Sequence, residues 1–144
     1  MIDIQIINAN ESHITAIADN IRTADKVELW DYALVNPTEA LVISIEKATM
    51  SWTGFINGIP ACMFGVTGSS SMLSSIGKPW LIGTILLEKH PVSFLRRCKA
   101  NVDAMKAAYN ELDGYVAVEN ANAIQWLKWL GFLFESPKSI GLFG

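Results

Sequence analysis

The chain is poor in the residues that most often announce a function. Among its 144 residues are two cysteines, Cys62 and Cys98, and two histidines, His13 and His90. Two cysteines are too few for a disulfide framework and lack metal-ligand spacing, so both read as small buried hydrophobes in a reducing compartment. No Ser/His/Asp triad, paired-carboxylate site or metal cluster can be assembled from the spacing of what remains. Charged residues make up only 17% and the net charge is -3, which gives no electrostatic reason to expect nucleic acid as a partner. No uncharged apolar run reaches the roughly 18 to 20 residues of a membrane span. The longest candidate, near Trp80 to Leu87, is interrupted by Glu88-Lys-His. The opening Met-Ile-Asp-Ile-Gln-Ile-Ile has neither the basic region nor the cleavage site of a signal peptide, so a soluble protein is expected. One further absence bears directly on chemistry: no glycine occurs between Gly83 and Gly114.

What is present is apolar. Hydrophobic residues reach 51%, enough for one globular domain over 1–144 with a substantial core. Ile2, Ile4 and Ile6 alternate with polar residues and predict a first strand. Ile14, Ile17, Ala18 and Ile21 form a helical stripe, and a second short helix is expected over 24–34. Asn36-Pro37-Thr38-Glu39 is a helix start with its N-cap, its first-position proline and its acidic third residue in place. Strands over 50–57 and 59–67 flank Asn57-Gly58, a two-residue hairpin turn. Residues 79–87 read as a buried fourth strand. Pro91 opens the longest helix, to about Tyr109, with Phe94, Leu95, Cys98, Val102, Met105 and Tyr109 on one face. A strand over 114–119, a helix over 122–130 and one or two terminal strands complete the chain. An antiparallel hairpin region feeding a strand-helix-strand crossover predicts an α+β, mixed α/β sheet with its last two strands parallel.

The last third carries the most specific pattern, Asn120-Ala-Asn-Ala123-Ile-Gln-Trp126-Leu127-Lys-Trp129-Leu130-Gly131-Phe132. It resembles the closing signature of the GNAT superfamily of acyl-CoA N-acyltransferases, N-x-x-A-x-x-x-Y-x-x-x-G-F. Asn120, Ala123, Gly131 and Phe132 match, and Leu127 stands where the signature has tyrosine. The order of elements also agrees with the GNAT fold, whose fourth and fifth strands splay apart with helices on both faces of the sheet.

The resemblance implies three functional parts. A pyrophosphate cradle of backbone amides, normally rich in glycine, follows the fourth strand. The splayed strand pairs with the pantetheine arm of CoA. A tyrosine protonates the departing thiolate. The corresponding cradle here, Leu86-Leu-Glu88-Lys-His90-Pro91-Val-Ser93-Phe94, has no glycine, and Pro91 removes an amide donor. Leu127 has no proton to give. The cofactor-contacting positions implied are Leu86, Leu87, Ser93, Asn120 and Ala123, and the base candidates are Glu88 and His90. Plainer readings stand beside these. Glu88 reads as a solvated strand end, His90 as an exposed or N-cap residue, and Leu127 as core with Ala123, Trp126 and Leu130. With two requirements of the enzyme missing together, the expectation is the fold without the chemistry: no bound cofactor, or acetyl-CoA at an atypical site if the chain is an enzyme.

Other polar residues give weaker signals. His13 has no visible partner in the sequence. Arg22, Asp25 and Glu28 read as a solvated helix face. Arg96, Arg97, Lys99 and Lys106 read as surface cations flanking the core stripe, with an anionic ligand or partner as the alternative. Among five tryptophans, Trp129 lies off the core face of its helix, and with Trp80 it is a candidate interaction anchor.

A narrower likeness joins Arg22-x-x-Asp25-x-x-Glu28, Gly58-Ile-Pro60-Ala, Pro79-Trp80-Leu-Ile-Gly83-Thr84, His90-Pro-x-x-Phe94-Leu95-Arg96 and Ile124-x-Trp126-Leu127-Lys-Trp129. Together these resemble small GNAT-like proteins of tailed phages related to the internal virion protein of short-tailed phages. That resemblance implies a non-catalytic interaction module of the virion or its assembly. Its partners would be other phage proteins or further copies of itself, and its location the cytoplasm of the infected host or the particle.

Overall fold

A computed structural model of the chain describes residues 2–22, 36–68, 76–113 and 121–133. The elements are β1 (Ile4–Asn8), a 3-10 turn (Glu11–His13), α1 (Ile14–Asp19), α2 (Pro37–Lys47), β2 (Ala48–Ile56) and β3 (Ile59–Gly68). They continue with β4 (Ile76–Gly83), α3 (Ile85–Lys89), α4 (Pro91–Ala108), β5 (Glu111–Leu112) and α5 (Ala121–Trp129). The architecture is mixed α/β, with a five-stranded sheet in the order β1-β2-β3-β4-β5. All pairs are antiparallel except β4 with β5, which run parallel through Ile76↔Glu111 and Gly77↔Leu112.

Local chemistry explains the elements. Asn57 (φ 51°) and Gly58 (φ 79°) both take the left-handed backbone that a two-residue hairpin between β2 and β3 demands. The Asn36 side chain accepts the Glu39 amide at 2.8 Å and caps α2, with Pro37 in the first turn. Central β3 is buried on both faces from Ala61 to Val66. Cys62, Phe64 and Val66 join Ile4, Ile56, Phe94, Leu95, Cys98 and Met105 under α4. Met63 points the other way, to Ile14, Ile17, Ala40, Leu41 and Ile82 beneath α1 and α2. The sheet therefore separates two cores.

Three expectations shift. The fourth strand spans Ile76–Gly83 and stops three to four residues earlier than its apolar run, because Thr84 ends the ladder and Ile85–Lys89 coil into α3. An apolar run fixes burial, not the choice between strand and helix. The first helical stripe divides into a 3-10 turn and the short α1. The helix expected over 24–34, the strand over 114–119 and nearly all of the terminal strands lie outside the described residues.

The tightest seat in the larger core is Gly54. A methyl group there would come within 2.4 Å of Phe94 Cε2 and 3.1 Å of Cys62 Sγ, and Phe94 is itself held edge-on to Phe64 at 5.8 Å. Gly54→Ala should cost about 1–3 kcal/mol by overpacking, read from urea unfolding. An unchanged urea midpoint would mean that Phe94 can move aside without loss.

Candidate functional site

The outward edge of β4 ends in a polar junction. Thr84 donates its hydroxyl to Ala61 O at 2.7 Å and its amide to the same carbonyl, which ties it to β3. On the opposite side, the Arg22 amide donates to Gly83 O at 2.8 Å and the Ile85 amide to Asn20 O at 3.1 Å. The segment after α1 thus runs as a short extra partner along the end of β4, with Ile21 bridged to Thr84. In the family that the sequence resembles, this edge receives the pantetheine arm. Here its last two backbone groups are already taken.

This segment delivers Arg22 to the centre of the junction. Its side chain is 2% exposed, its Nε lies 2.8 Å from Glu88 Oε1 on α3, and its guanidinium carbon sits 4.5 Å from the centroid of the Trp126 ring on α5. One buried cation therefore joins β4, α3 and α5. The reading of Arg22 as a solvated charge is overturned, whereas Glu88 stays 36% exposed and differs from its reading in lying on a helix. Because residues 85–89 form a helix, Glu88 reaches the Arg22 segment while part of its side chain stays open to solvent.

Beside the junction, α3 and α4 are separated only by His90, which ends one helix and precedes the other. His90 occupies the N-cap position of α4 without a side-chain cap bond. The first amide bond of α4 runs from Phe94 N to His90 O at 3.4 Å, so the Val92 and Ser93 amides in the first turn have no intrahelical acceptor. No acidic residue lies in that turn. Two grooves flank it. A pocket of about 270 Å³, lined by Pro91, Val92, Leu95, Gln125, Trp126 and Trp129, lies between α4 and α5. On the other side a groove of about 450 Å³ is bordered by Ile2, Asp3, Ile4, Ser93, Arg96 and Arg97.

The remaining candidates distribute as follows. Ser93 lies in the first turn of α4, beside exposed Arg96 and Arg97. Leu87 is buried in the larger core and Leu86 packs against it, because α3 turns its apolar face inward. Asn120 lies outside the described residues; Ala123 is on α5. Trp80 is half-buried against the smaller core, on the face of β4 that alternation turns toward Met63 and Ile82. Trp129 is 46% exposed, with Lys99 Nζ 4.9 Å from its ring centroid. His13, without an apparent partner in the sequence, hydrogen-bonds through Nδ1 to buried Thr53 Oγ1 at 2.7 Å and meets Phe55 edge-on. Neither partnership had a sequence signal. His13 and Thr53 are 40 residues apart, and Arg22 and Glu88 are 66 apart.

No known family model matches the chain, and no curated protein does. Solved structures do. A GNAT-family acetyltransferase from Streptococcus pneumoniae superposes with a TM-score of 0.64 at 15% identity, over 93% of this chain and 87% of that one. AAC(6')-Iy, in complex with the bisubstrate analog CoA-S-monomethyl-acetylneamine, gives 0.59 at 15% identity over 97% of both chains. The yncA protein of Salmonella typhimurium, solved with acetyl-CoA, gives 0.64 at 12% identity over 92% and 81%. Identities this low establish fold alone, and the fold of this chain is that of the GNAT acetyltransferases.

Two measurements test the local physics. Glu88→Gln takes a charged partner from a buried guanidinium and should destabilise the protein by about 1–3 kcal/mol in urea unfolding. A cost near zero would show that the pair is held no more firmly than a surface one. Desolvation lowers the pKa of His13 below 6.5, so folding favours its neutral form. That stability is complete above pH 6.5 and is lost as pH falls through the lowered value. The urea midpoint should therefore drop more between pH 7 and pH 5 in the parent chain than in His13→Gln, and equal drops would remove His13 as a contributor.

Proposed function

We propose that the 144 residues act as one domain and that this domain is an N-acetyltransferase, taking acetyl-CoA and an amine through a reduced phosphate site. The observation that carries this reading is the uncapped start of α4. It lies one short helix beyond the end of β4, in a fold shared along nearly its whole length with acetyltransferases solved with acetyl-CoA or a CoA analog. The residues there fit an anionic diphosphate: two amides without helical acceptors, the Ser93 hydroxyl, and the cations Arg96 and Arg97 one turn on. Glycine is missing, and Pro91 gives no donor, so the fit is to fewer hydrogen bonds and weaker binding. The expectation of no cofactor accordingly gives way to acetyl-CoA as a weakly held substrate.

In the transfer, the acceptor nitrogen bonds to the thioester carbonyl carbon, the carbon–sulfur bond breaks, and CoA leaves as the thiol. Glu88 receives the proton that the amine must lose. Arg22 fixes that carboxylate through Nε and is itself braced against Trp126. Leu127 offers no acid, so the departing sulfur takes its proton from solvent and turnover is slow.

A second reading is favoured by one observation, the tryptophan-lined pocket with Trp129 almost half exposed. Under it, the domain is a non-catalytic module of a phage particle or its assembly, resident in the host cytoplasm or the virion, and Trp129 meets another phage protein.

Calorimetry with acetyl-CoA separates the two. The enzyme reading expects a dissociation constant on the order of 10–500 μM. It also expects Leu127→Tyr to raise the rate of amine acetylation roughly tenfold or more, and Glu88→Gln to lower it by about a hundredfold. No heat at millimolar acetyl-CoA would leave the interaction module as the function.

A further inference from the structure

The turn that joins β1 to α1 is closed by side chains that fix where an imidazole carries its proton. Asn10 caps the 3-10 turn: its Oδ1 accepts the Ser12 amide at 2.9 Å and also the Ser12 hydroxyl. With that oxygen committed, the side chain turns its Nδ2 toward His13 Nε2, 3.4 Å away. An amide NH2 group only donates, so Nε2 is the unprotonated nitrogen of the neutral ring. The proton then sits on Nδ1 and is donated to Thr53 Oγ1 at 2.7 Å, a hydroxyl fully buried on β2. Phe55 of the same strand meets the ring edge-on at 5.3 Å. These contacts are all satisfied by the neutral ring, and by only one of its two tautomers.

We propose that Asn10, His13 and Thr53 form an acid-sensitive latch, which clips the turn to β2 while the ring is neutral and releases it when Nε2 takes a proton. The added N–H would point at the N–H bonds of Asn10 Nδ2. Asn10 relieves that opposition only by rotating its amide, which brings Oδ1 to the ring and takes it away from the Ser12 amide. Protonation of His13 and the Asn10 cap therefore exclude each other. The turn gives up one of the bonds that close it.

No carboxylate among the described residues offsets the charge. β1 from Ile4 to Asn8 and β2 from Ala48 to Ile56 carry no ionisable side chain, and Asp3 lies beyond the far end of β1, against Asn57. The other charges of the packed elements are Glu11 in the turn itself, Asp19 at the end of α1, and Glu39, Glu46 and Lys47 on α2. None of them forms an ion pair with His13. Partial burial adds its own penalty for the imidazolium and lowers the pKa below 6.5. The latch is accordingly closed at neutral pH and opens as pH falls through that lowered value. α1 stays seated when it opens, because Ile14 and Ile17 are held in the smaller core. The change is confined to the entry of the helix whose far end delivers Asn20 and Arg22 to the junction beside β4.

Nitrogen-15 NMR of the two histidine rings tests the latch, with His90→Gln used to assign the His13 signals. In the neutral ring the proton should be found on Nδ1, and the titration midpoint of the parent chain should lie below 6.5. As the ring titrates, exchange of the Ser12 amide, corrected for its intrinsic pH dependence, should quicken roughly tenfold or more as the cap is given up. Asn10→Asp is the discriminating variant, since aspartate caps as well as asparagine and has no N–H to oppose the ring. One carboxylate oxygen keeps the Ser12 amide while the other accepts from Nε2, so the His13 midpoint should rise by about one unit or more. The acid-quickened exchange at Ser12 should then disappear, with the circular dichroism spectrum unchanged. A proton on Nε2 in the neutral ring, or a parent midpoint at or above 6.5, overturns the proposal. So does Ser12 exchange indifferent to the titration, or a midpoint unmoved by Asn10→Asp.

Discussion

The burial of one guanidinium organises the end of the molecule where chemistry would occur. Taking Arg22 out of water is costly, and the cost is met only if its charge and its donors find partners nearby. Glu88 supplies the countercharge and the face of Trp126 supplies the other side of the stack. Those partners belong to different elements, so the requirement to satisfy Arg22 fixes the position of α3 and α5 relative to the end of β4. The Arg22 amide adds its own bond to Gly83. Remove the side chain and the three elements lose the group they share, while the ladder beneath them remains.

That ladder is independent of the junction. The hairpin of β2 and β3 and the two cores on either face depend on alternation, on Asn57-Gly58 and on glycine at the close approach to Phe94. The molecule therefore has a sheet specified by short-range patterns and a site specified by long-range polar contacts. The two also differ in what a substitution disturbs. Loss of Glu88 takes the countercharge from a buried guanidinium, whereas a methyl group at Gly54 meets the Phe94 ring.

The same division explains what the sequence disclosed. Strand and helix positions followed from period and capping: β1, the hairpin, α2 with its Asn36 cap and the buried stripe of α4 lie where the pattern puts them, while the parallel partner of β4 forms at Glu111–Leu112, ahead of the 114–119 expected. The mixed α/β architecture followed from their order. What escaped was pairing at a distance. Nothing local distinguishes Arg22 as a buried cation, since a charged residue after an amphipathic stripe normally faces water. Likewise the apolar run 79–87 reports burial equally well for a strand and for the strand-then-helix that forms, and that ambiguity put Leu86, Leu87 and Glu88 at a strand end where the chain forms α3. Among the site candidates, Trp129 was placed by helical spacing alone, which is short-range information.

The helix α3 also accounts for the missing glycines. A glycine loop closes around phosphate by leaving several residues free of regular structure. In this chain those residues have coiled into Ile85–Lys89, with Leu87 driven into the core on one side of His90 and Phe94 on the other. A single residue then connects two helices, and Pro91 suits that connection because its fixed φ begins a helix and its missing amide is one the first turn would not have used within the helix. What remains for an anion is the helix terminus itself, with its free amides, its dipole and the arginines that follow. The absence of glycine there and the burial of Arg22 against Glu88 are thus one arrangement: residues 85–89 form the helix that carries the countercharge.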